Sequence, residues 1–472
     1  MLSGSVYLKF KNIVKRYFCK DMKMKVFNLK TLCLFTSCVM AGQLASANHV
    51  LSQDRQWLLG DWGYKRLSLK DRGYNFTFGF HNESATNLSG GYNDDSMLSN
   101  ANQFTFGANF DLNKIAGWSN TEFNLVVTKR EGDALALERT ADPRAAMFSS
   151  PQGIYGRGQG WRLSQASIKT ASDDKRLTFK FGRVGLSDDF NGSHCEFQSL
   201  MLCGGQLGKT VGDIWYNGPV SQWGMNVKYA FNPAWSIGIG VYEINPENTL
   251  EDKGFNLDMD HVEGALIPLE LAWKPKLDAF NQLPGEYKVG GYLSTADAKD
   301  IKYNAQNEIA LSAADLKTHN SKNSVWLNMQ QQVYAHPDNP KRGLFVSAHF
   351  TLNDKDTTAV EASQQYAMWY KGPFDSRPND SVGIGIAYFD INGDLRARQN
   401  YLNEFNGFDA SDYSDPKYTP VKYNEFSAEL NYNYQWSPAI ALRPSIMYFH
   451  QPGGLKEVDD AWVLGLTTKL NF

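Results

Sequence analysis

The chain has 472 residues, a formal net charge of −3 and a mean hydropathy of −0.44. After residue 47 no apolar run is long enough for a transmembrane helix, which argues against a helical membrane protein, and no basic stripe points to nucleic acid. Aromatic residues make up 13% of the chain, with 23 Tyr, 28 Phe and 12 Trp. In a transmembrane β-barrel, successive side chains of each strand face lipid and water alternately, which gives an intermediate mean hydropathy together with many aromatic residues.

The first 47 residues have the features of a targeting segment. Lysines precede an apolar core at residues 32–40, and Ala45-Ser46-Ala47 fits a cleavage site of the A-x-A type. We therefore predict that residues 1–47 are an N-terminal extension and cleaved signal peptide, so that the mature chain begins at Asn48. Residues 1–21 exceed what such a leader needs.

Three of the five cysteines lie in this leader, and one of them, Cys38, fits a lipoprotein signal poorly. The closely spaced Cys195 and Cys203 remain. In an exported protein such a pair predicts a disulfide that pins a loop, whereas a metal site would need further ligands nearby. We predict the disulfide, and no cofactor or metal. The leader carries eight Lys or Arg and one Asp, so its removal changes the net charge from −3 to −10.

Residues 48–73 form a short segment before the first strand. Asp61 can cap a helix that ends before Gly73, because Asp favours the helix N-cap and Gly favours the left-handed exit. We predict a short periplasmic N-terminal helix that acts as a cap or a plug.

Sixteen segments of alternating apolar and polar residues follow, and the barrel domain is predicted over residues 74–472. An even strand number is typical of single-chain bacterial barrels, and about sixteen to eighteen strands leave an aqueous channel. Short connections alternate with long ones, as periplasmic turns alternate with extracellular loops. The fold class is therefore all-β, a 16-stranded antiparallel transmembrane β-barrel. The segments are residues 74–81, 104–112, 123–127, 161–170, 176–184, 223–231, 235–241, 263–274, 285–294, 324–334, 343–353, 365–371, 381–391, 424–435, 439–450 and 462–472.

The final segment, residues 462–472, has an apolar face and ends on Phe472. An uncovered apolar strand is an aggregation hazard in water. Pairing with the strand that begins at Tyr74 removes this hazard and closes the barrel, as a bilayer requires.

Several short motifs occur in a fixed order along the mature chain. They are Gly60-Asp61-Trp62-Gly63, residues 180–190, 218–224, 240–246 and 283–291, residues 372–374 with Arg377-Pro378, and Arg443-Pro444 with residues 452–454. Together these motifs resemble the carbohydrate-selective outer-membrane porins, the OprB family, over about residues 58–472. The resemblance implies a sixteen-stranded channel for sugars with a constriction of charged and aromatic side chains. Tyr64 departs from the family pattern, in which a second Gly commonly follows Trp-Gly.

Channel-facing residues follow from strand phase, because polar residues opposite the lipid-facing rows line the lumen. Arg donors and carboxylate acceptors can hydrogen-bond sugar hydroxyls. Alternatively, these charges keep the lumen wet or, as with Arg183 and the neighbouring aspartates, hold a loop. Trp326 can instead be an interfacial anchor. The candidate pore-lining residues are Glu122, Arg130, Arg157, Arg162, Lys180, Arg183, Asp188, Asp189, Glu270 and Trp326, and the same phase places Glu425, Glu429 and Lys469 inside.

These features favour a passive outer-membrane porin for small sugars in a Gram-negative cell. A porin for organic acids or amino acids is the alternative, but charges of both signs favour neutral polar solutes. No G-x-S-x-G, H-E-x-x-H or P-loop motif occurs, so we do not expect an enzyme. The expected partners are small sugars, outer-membrane lipid with lipopolysaccharide, and the barrel-insertion machinery, whose signal the aromatic end resembles. No nucleic-acid partner is expected.

Overall fold

A computed structural model describes residues 52–145, 148–156, 158–193 and 195–472. The predicted leader at residues 1–47 and the candidate pore residue Arg157 lie outside these described residues.

In the part of the chain that the structure describes, sixteen long strands, numbered β1 to β16 in chain order, form a barrel. Each pairs antiparallel with its neighbours in sequence, and β1 pairs with both β2 and β16, so the sheet closes on itself. This confirms the predicted 16-stranded antiparallel barrel. The strands are Tyr74–Gly91, Leu98–Asp111, Thr121–Gly132, Gly160–Ala171, Leu177–Val184, Gln222–Ala230, Trp235–Ile244, Gly264–Trp273, Leu283–Ser294, Lys322–His336, Asn339–Asn353, Val360–Lys371, Ser381–Ile391, Glu425–Ser437, Ile440–His450 and Asp459–Asn471.

Smaller elements lie in the connections between the strands. A two-residue strand, Lys276–Leu277, pairs with the start of β9, and a hairpin of Ala298–Asn304 and Leu316–His319 lies between β9 and β10. The α-helices of the described segments are α1 (Lys65–Asp71), α2 (Leu112–Ala116), α3 (Leu207–Thr210) and α4 (Gly393–Phe405). Among the described residues, no helix has the length and apolarity needed to cross a bilayer. Single turns occur at Ala136–Thr140, Leu186–Asp188, Leu200–Leu202, Pro246–Thr249, Glu251–Lys253, Asp278–Phe280, Ala410–Asp412 and Pro452–Gly454.

The barrel wall has its apolar side chains on the outside. On β16, Trp462, Leu464 and Leu466 are 44%, 42% and 41% exposed, whereas Val463 and Thr467 on the other face are buried. Side chains alternate between the two faces of a strand, so this difference separates an apolar outer surface from an interior that includes many polar groups. A surface of this kind suits contact with lipid.

The two ends of the barrel differ. The connections β4–β5, β6–β7, β10–β11 and β14–β15 are short turns at one end, which we call the turn end. The longest connections, β3–β4, β5–β6, β7–β8, β9–β10 and β13–β14, lie at the opposite loop end. This alternation of short and long connections is the one predicted from the sequence.

Two of the long loops fill much of the barrel interior. The β5–β6 loop places Leu207, Val211 and Trp215 in a buried cluster with Tyr292 and Trp326 of the wall. In the β3–β4 loop, the buried Leu135 packs on a separate cluster from β1, β15 and β16. The hydrophobic core of this protein is therefore formed between inward loops and the inner wall.

The segment before β1 holds the seam where the barrel closes. The Leu58 N–H donates to the Asn471 main-chain oxygen at 2.8 Å. The buried Arg66 donates to the main-chain oxygens of Phe472 at 2.8 Å and Phe76 at 2.9 Å. Its guanidinium lies over the ring of Trp57, with 4.3 Å to the ring centroid. Arg66 thus bridges the first and last strands.

The prediction that Asp61 caps the short helix before β1 is wrong. Residue Tyr64, in a left-handed conformation, precedes α1 and makes no side-chain capping bond, while the Asp61 carboxylate accepts from the Gly63 N–H at 3.1 Å. Asp61 therefore shapes the turn before the helix. Gly73, with φ of 98°, provides the left-handed exit.

We predict that Arg66→Met lowers the temperature at which the folded barrel is lost in detergent, as followed by heat-dependent gel mobility. A hydrogen bond to a charged group contributes about 1.5–3 kcal/mol, and the variant loses two of them across the seam. Lys65→Met, at an exposed neighbouring position, is the control. Equal unfolding temperatures for the two variants would show that Arg66 does not stabilise the seam.

Candidate functional site

The β3–β4 loop (residues 133–159) and the β5–β6 loop (residues 185–221), which we call the inner loops, pack against the inner wall of the barrel. They are joined by main-chain hydrogen bonds, from the Leu200 N–H to the Ser150 oxygen at 2.9 Å and from the Gly153 N–H to the Gln198 oxygen at 3.0 Å. A disulfide links Cys195 to Cys203, with their Cα atoms 4.6 Å apart, at the tip of the second loop. The two loops therefore form one connected structure inside the barrel.

Two glutamates on the inner face of β14 hold the inner loops. The Glu425 carboxylate accepts the main-chain N–H groups of Phe148 at 3.1 Å and Ser149 at 2.8 Å. Four residues further along, the Glu429 carboxylate accepts those of Gln198 at 3.0 Å and Ser199 at 2.8 Å. Both glutamates are buried. Each inner loop thus donates two successive peptide groups to its own carboxylate on the wall.

A third carboxylate, Glu83 on β1, has a similar role. It accepts the Ile154 N–H at 3.0 Å, and its main-chain oxygen accepts the side-chain amide of Gln152 at 2.8 Å. The sequence analysis missed this residue because it ended the first strand at residue 81, whereas β1 continues to Gly91. If the alternating pattern of the first predicted strand had been continued from residue 81 to residue 83, Glu83 would have been placed on the inner face.

Glu270 and Trp326, both candidates for solute contact, are covered by the β5–β6 loop. The Glu270 carboxylate accepts the Asn191 N–H and the Trp326 indole N–H, each at 2.9 Å. Trp326 is 2% exposed, and its ring centroid lies 5.6 Å from that of Trp215. The expected sugar contact is therefore wrong for both residues, and so is the alternative of an interfacial Trp anchor, because loop packing buries them inside the barrel.

Arg162 and Arg183 hold a different loop, the one between β7 and β8. The buried Arg162 donates to the main-chain oxygens of Asn248 and Leu250, both at 2.8 Å. The buried Arg183 is paired with Glu243 at 2.8 Å and also donates to the Asn248 side chain at 3.1 Å. Neither guanidinium is open to a solute, so the prediction that they line the pore is wrong. The alternative for Arg183, an Arg–Asp pair that holds the Cys-containing loop, also differs from the structure, because the carboxylate partner of Arg183 is Glu243 on β7.

The remaining acidic candidates separate into three environments. Asp189 accepts from Lys180 at 2.9 Å and from the Asn226 side chain at 3.0 Å, which fixes the start of the β5–β6 loop on the wall. The neighbouring Asp188 is exposed. Glu122 lies near the turn end of β3, where it contacts Lys169 at 3.3 Å, away from the inner loops.

Strand register brings four polar residues into one slanted row on the inner wall, which we call the polar ladder. In adjacent strands, Lys469 is paired with His81, His81 with Gln103, and Gln103 with Arg130. Lys469 is close to the turn end of β16, and Arg130 is close to the loop end of β3. None of the four is buried, and the Arg130 Nε donates to the Gln103 side chain at 2.7 Å. Because barrel strands are tilted, this row of paired residues crosses the inner wall obliquely between the two ends.

A clasp at the loop end joins the β3–β4 loop to the β13–β14 loop. Arg144 is paired with Asp142 at 2.7 Å and donates to the Tyr413 main-chain oxygen at 3.0 Å, and the Tyr413 hydroxyl donates to Asp142 at 2.6 Å. Burial opposes charge on Asp142, but the hydrogen bonds from Arg144 and Tyr413 together hold its pKa below the ordinary value. The clasp therefore depends on an ionised Asp142.

Comparisons with known proteins agree with this architecture. A family model described as carbohydrate-selective porin, OprB family, matches residues 95–472. The chain is 55% identical over 442 residues to the putative porin QuiX of Acinetobacter baylyi, covering 93% of this chain and 98% of that protein. It is 44% identical over 442 residues to Porin B of Pseudomonas aeruginosa, covering 93% and 97%. The high-pH structure of Pseudomonas putida OprB superposes with a TM-score of 0.87 at 43% identity, covering 89% of this chain and 100% of that one.

We predict that acid opens the clasp. A carboxylate whose pKa is lowered in the folded state stabilises the fold above its unfolded pKa, about 3.9, and loses that contribution as the pH falls through the lowered value. Spin labels at the exposed positions Glu138 and Lys417 should report a narrow distance distribution at pH 7 that broadens progressively as the pH falls below about 3.9. Asp142→Asn should give the broad distribution at pH 7, and the control Asp133→Asn should not. A narrow distribution for Asp142→Asn would contradict the assignment.

Proposed function

The chain belongs to the OprB family of carbohydrate-selective porins, and on this premise we propose a route for the sugar through the lumen. The protein is an outer-membrane channel through which carbohydrates diffuse. Because the inner loops cover Glu270, Trp326 and much of the wall, the path follows the part that they leave uncovered. The observation that carries the proposal is the polar ladder, whose four unburied side chains cross the inner wall obliquely from Arg130, nearer the loop end, to Lys469, nearer the turn end.

The ladder has the hydrogen-bonding groups that a sugar requires. Arg130 and Lys469 supply charged donors, Gln103 supplies both a donor and an acceptor, and the His81 ring supplies either according to its tautomer. Asp188, exposed near the start of the β5–β6 loop, adds a carboxyl acceptor. A sugar passing along these groups exchanges its water hydrogen bonds for several weak, replaceable ones, which permits both entry and release.

The orientation and partners follow from the same architecture. In bacterial barrels the short turns face the periplasm, so Arg130 is near the external side of the ladder and Lys469 near the periplasmic side. We propose that residues 1–47 direct export and are cleaved. Lipopolysaccharide would contact the rim at the loop end, and the insertion machinery would recognise β16, the strand that closes the barrel.

We predict that glucose or maltose reduces the current through single channels in planar bilayers, and that Arg130→Gln weakens the sugar's apparent affinity by about 10-fold, equivalent to about 1.4 kcal/mol. The variant loses a charged donor at the outer part of the ladder. Lys341→Gln, at an exposed turn-end position, is the matched control and should retain the wild-type affinity.

The main competing solutes are organic acids and amino acids. If carboxylates such as gluconate block the wild-type channel while neutral sugars leave its current unchanged, the sugar route is wrong. If sugars block the wild type and Arg130→Gln equally, the channel is carbohydrate-selective but the ladder is not its binding surface.

A further inference from the structure

We propose that Glu425 and Glu429 are positioning residues that set the affinity for sugar without touching it, by holding the inner loops against the polar ladder. This inference rests on the proposed function. It concerns two buried wall carboxylates that each accept hydrogen bonds from the main chain of an inner loop.

The two glutamates are placed to act together. They lie four residues apart on β14, with side chains on the same face of the strand, and each receives two consecutive peptide N–H groups from a different loop. The Glu429 carboxylate also accepts from the Asn431 side chain at 2.9 Å, and Glu425 contacts Lys422 at 3.3 Å. A buried carboxylate is tolerated only when such donors satisfy it, so each anchor also requires its loop.

The anchors extend to the disulfide-bonded tip. Asn431 donates to the Glu196 main-chain oxygen at 2.9 Å, and Arg443, on the next strand, donates to the Phe197 main-chain oxygen at 2.9 Å. These bonds and the two peptide groups held by Glu429 fix the main chain of residues 196–199. The side chain of Glu196, within this stretch, is close enough to Lys469 for their charges to interact.

The inner loops act on the ladder at two places. One is Lys469, through the charge of Glu196. The other is His81, which lies 3.3 Å from the Glu83 carboxylate, a group also bonded to the Ile154 N–H of the β3–β4 loop. Moving either loop therefore changes the surroundings of a ladder residue. The main-chain bonds between Leu200 and Ser150 and between Gly153 and Gln198 couple the loops, so release of one loop loosens the other.

A glutamine at either anchor tests this arrangement. Glu429→Gln keeps the size of the side chain but replaces one acceptor oxygen with a donor that faces the loop's own N–H groups. The loop then loses part of its attachment while the barrel strands keep theirs. Glu425→Gln makes the same change for the other loop, and Glu404→Gln, on the exposed part of α4, is the matched control.

The experiment measures the sugar's apparent affinity and the single-channel conductance for the wild type, the two single variants, the double variant and the control. It is done in 1 M KCl, where the Debye length is about 3 Å, so that the loss of a charge by itself has little effect on the current. Each single variant should weaken glucose or maltose binding by about 5- to 10-fold and raise the conductance. Because the loops are coupled, the double variant should fall short of the product of the two single effects.

The outcomes separate this proposal from the proposed function. Absence of sugar block in the wild type contradicts the proposed function. Block of the wild type with unchanged affinity in both single variants overturns the positioning role, and fully multiplicative effects overturn the coupling of the loops. If a Gln variant does not insert, Glu429→Asp, which keeps the charge but draws the carboxylate back, provides the same readout. A heat-dependent mobility equal to that of the wild type ensures that any change reflects the loops and not the barrel.

Discussion

Buried carboxylates that bind peptide N–H groups determine the shape of this channel. A loop that folds into a barrel brings main-chain donors away from water, and each donor needs a partner. A glutamate on the inner wall has the reciprocal requirement, because a desolvated carboxylate is costly without hydrogen bonds. In this protein the loop N–H groups donate to these wall carboxylates, so donor and acceptor satisfy one another. The carboxylates are those of Glu83, Glu270, Glu425 and Glu429. Charge-assisted bonds of this kind are stronger than neutral ones, so a few of them fix long loops inside the lumen.

The polarity of the channel follows from this arrangement. The wall carboxylates Glu83, Glu270, Glu425 and Glu429 are occupied by loop main chain, whereas the polar ladder and Asp188 are not buried. The hydrophobic cluster around Trp215 and Trp326 supports the loop from behind and removes that side of the barrel from the solute path. The closed barrel thus supplies the membrane-spanning wall, while the loops convert a wide pore into a narrow route lined by donors and acceptors.

Much of the fold could be predicted from alternation alone. A period of two identifies strands and their two faces locally, and all sixteen predicted segments correspond to strands. The contacts inside the barrel were harder to predict. Strand phase shows that Glu270 and Trp326 face inward, but it does not show that a loop more than fifty residues away in sequence covers them. For Arg183 the missing information was again long-range, since its partners Glu243 and Asn248 lie on another hairpin and its loop. The ladder depends on register across four strands, which strand phase alone does not fix.

Amide hydrogen exchange of the inner loops tests the carboxylate anchors most directly. In the wild-type protein the N–H groups of Ser149, Gln198 and Ser199 should exchange as slowly as those of β14, although they lie in loops. In Glu429→Gln the protection of Gln198 and Ser199 should fall selectively while β14 stays protected. Exchange of these amides in the wild type as fast as that of the exposed loop around Ser411 would contradict the account.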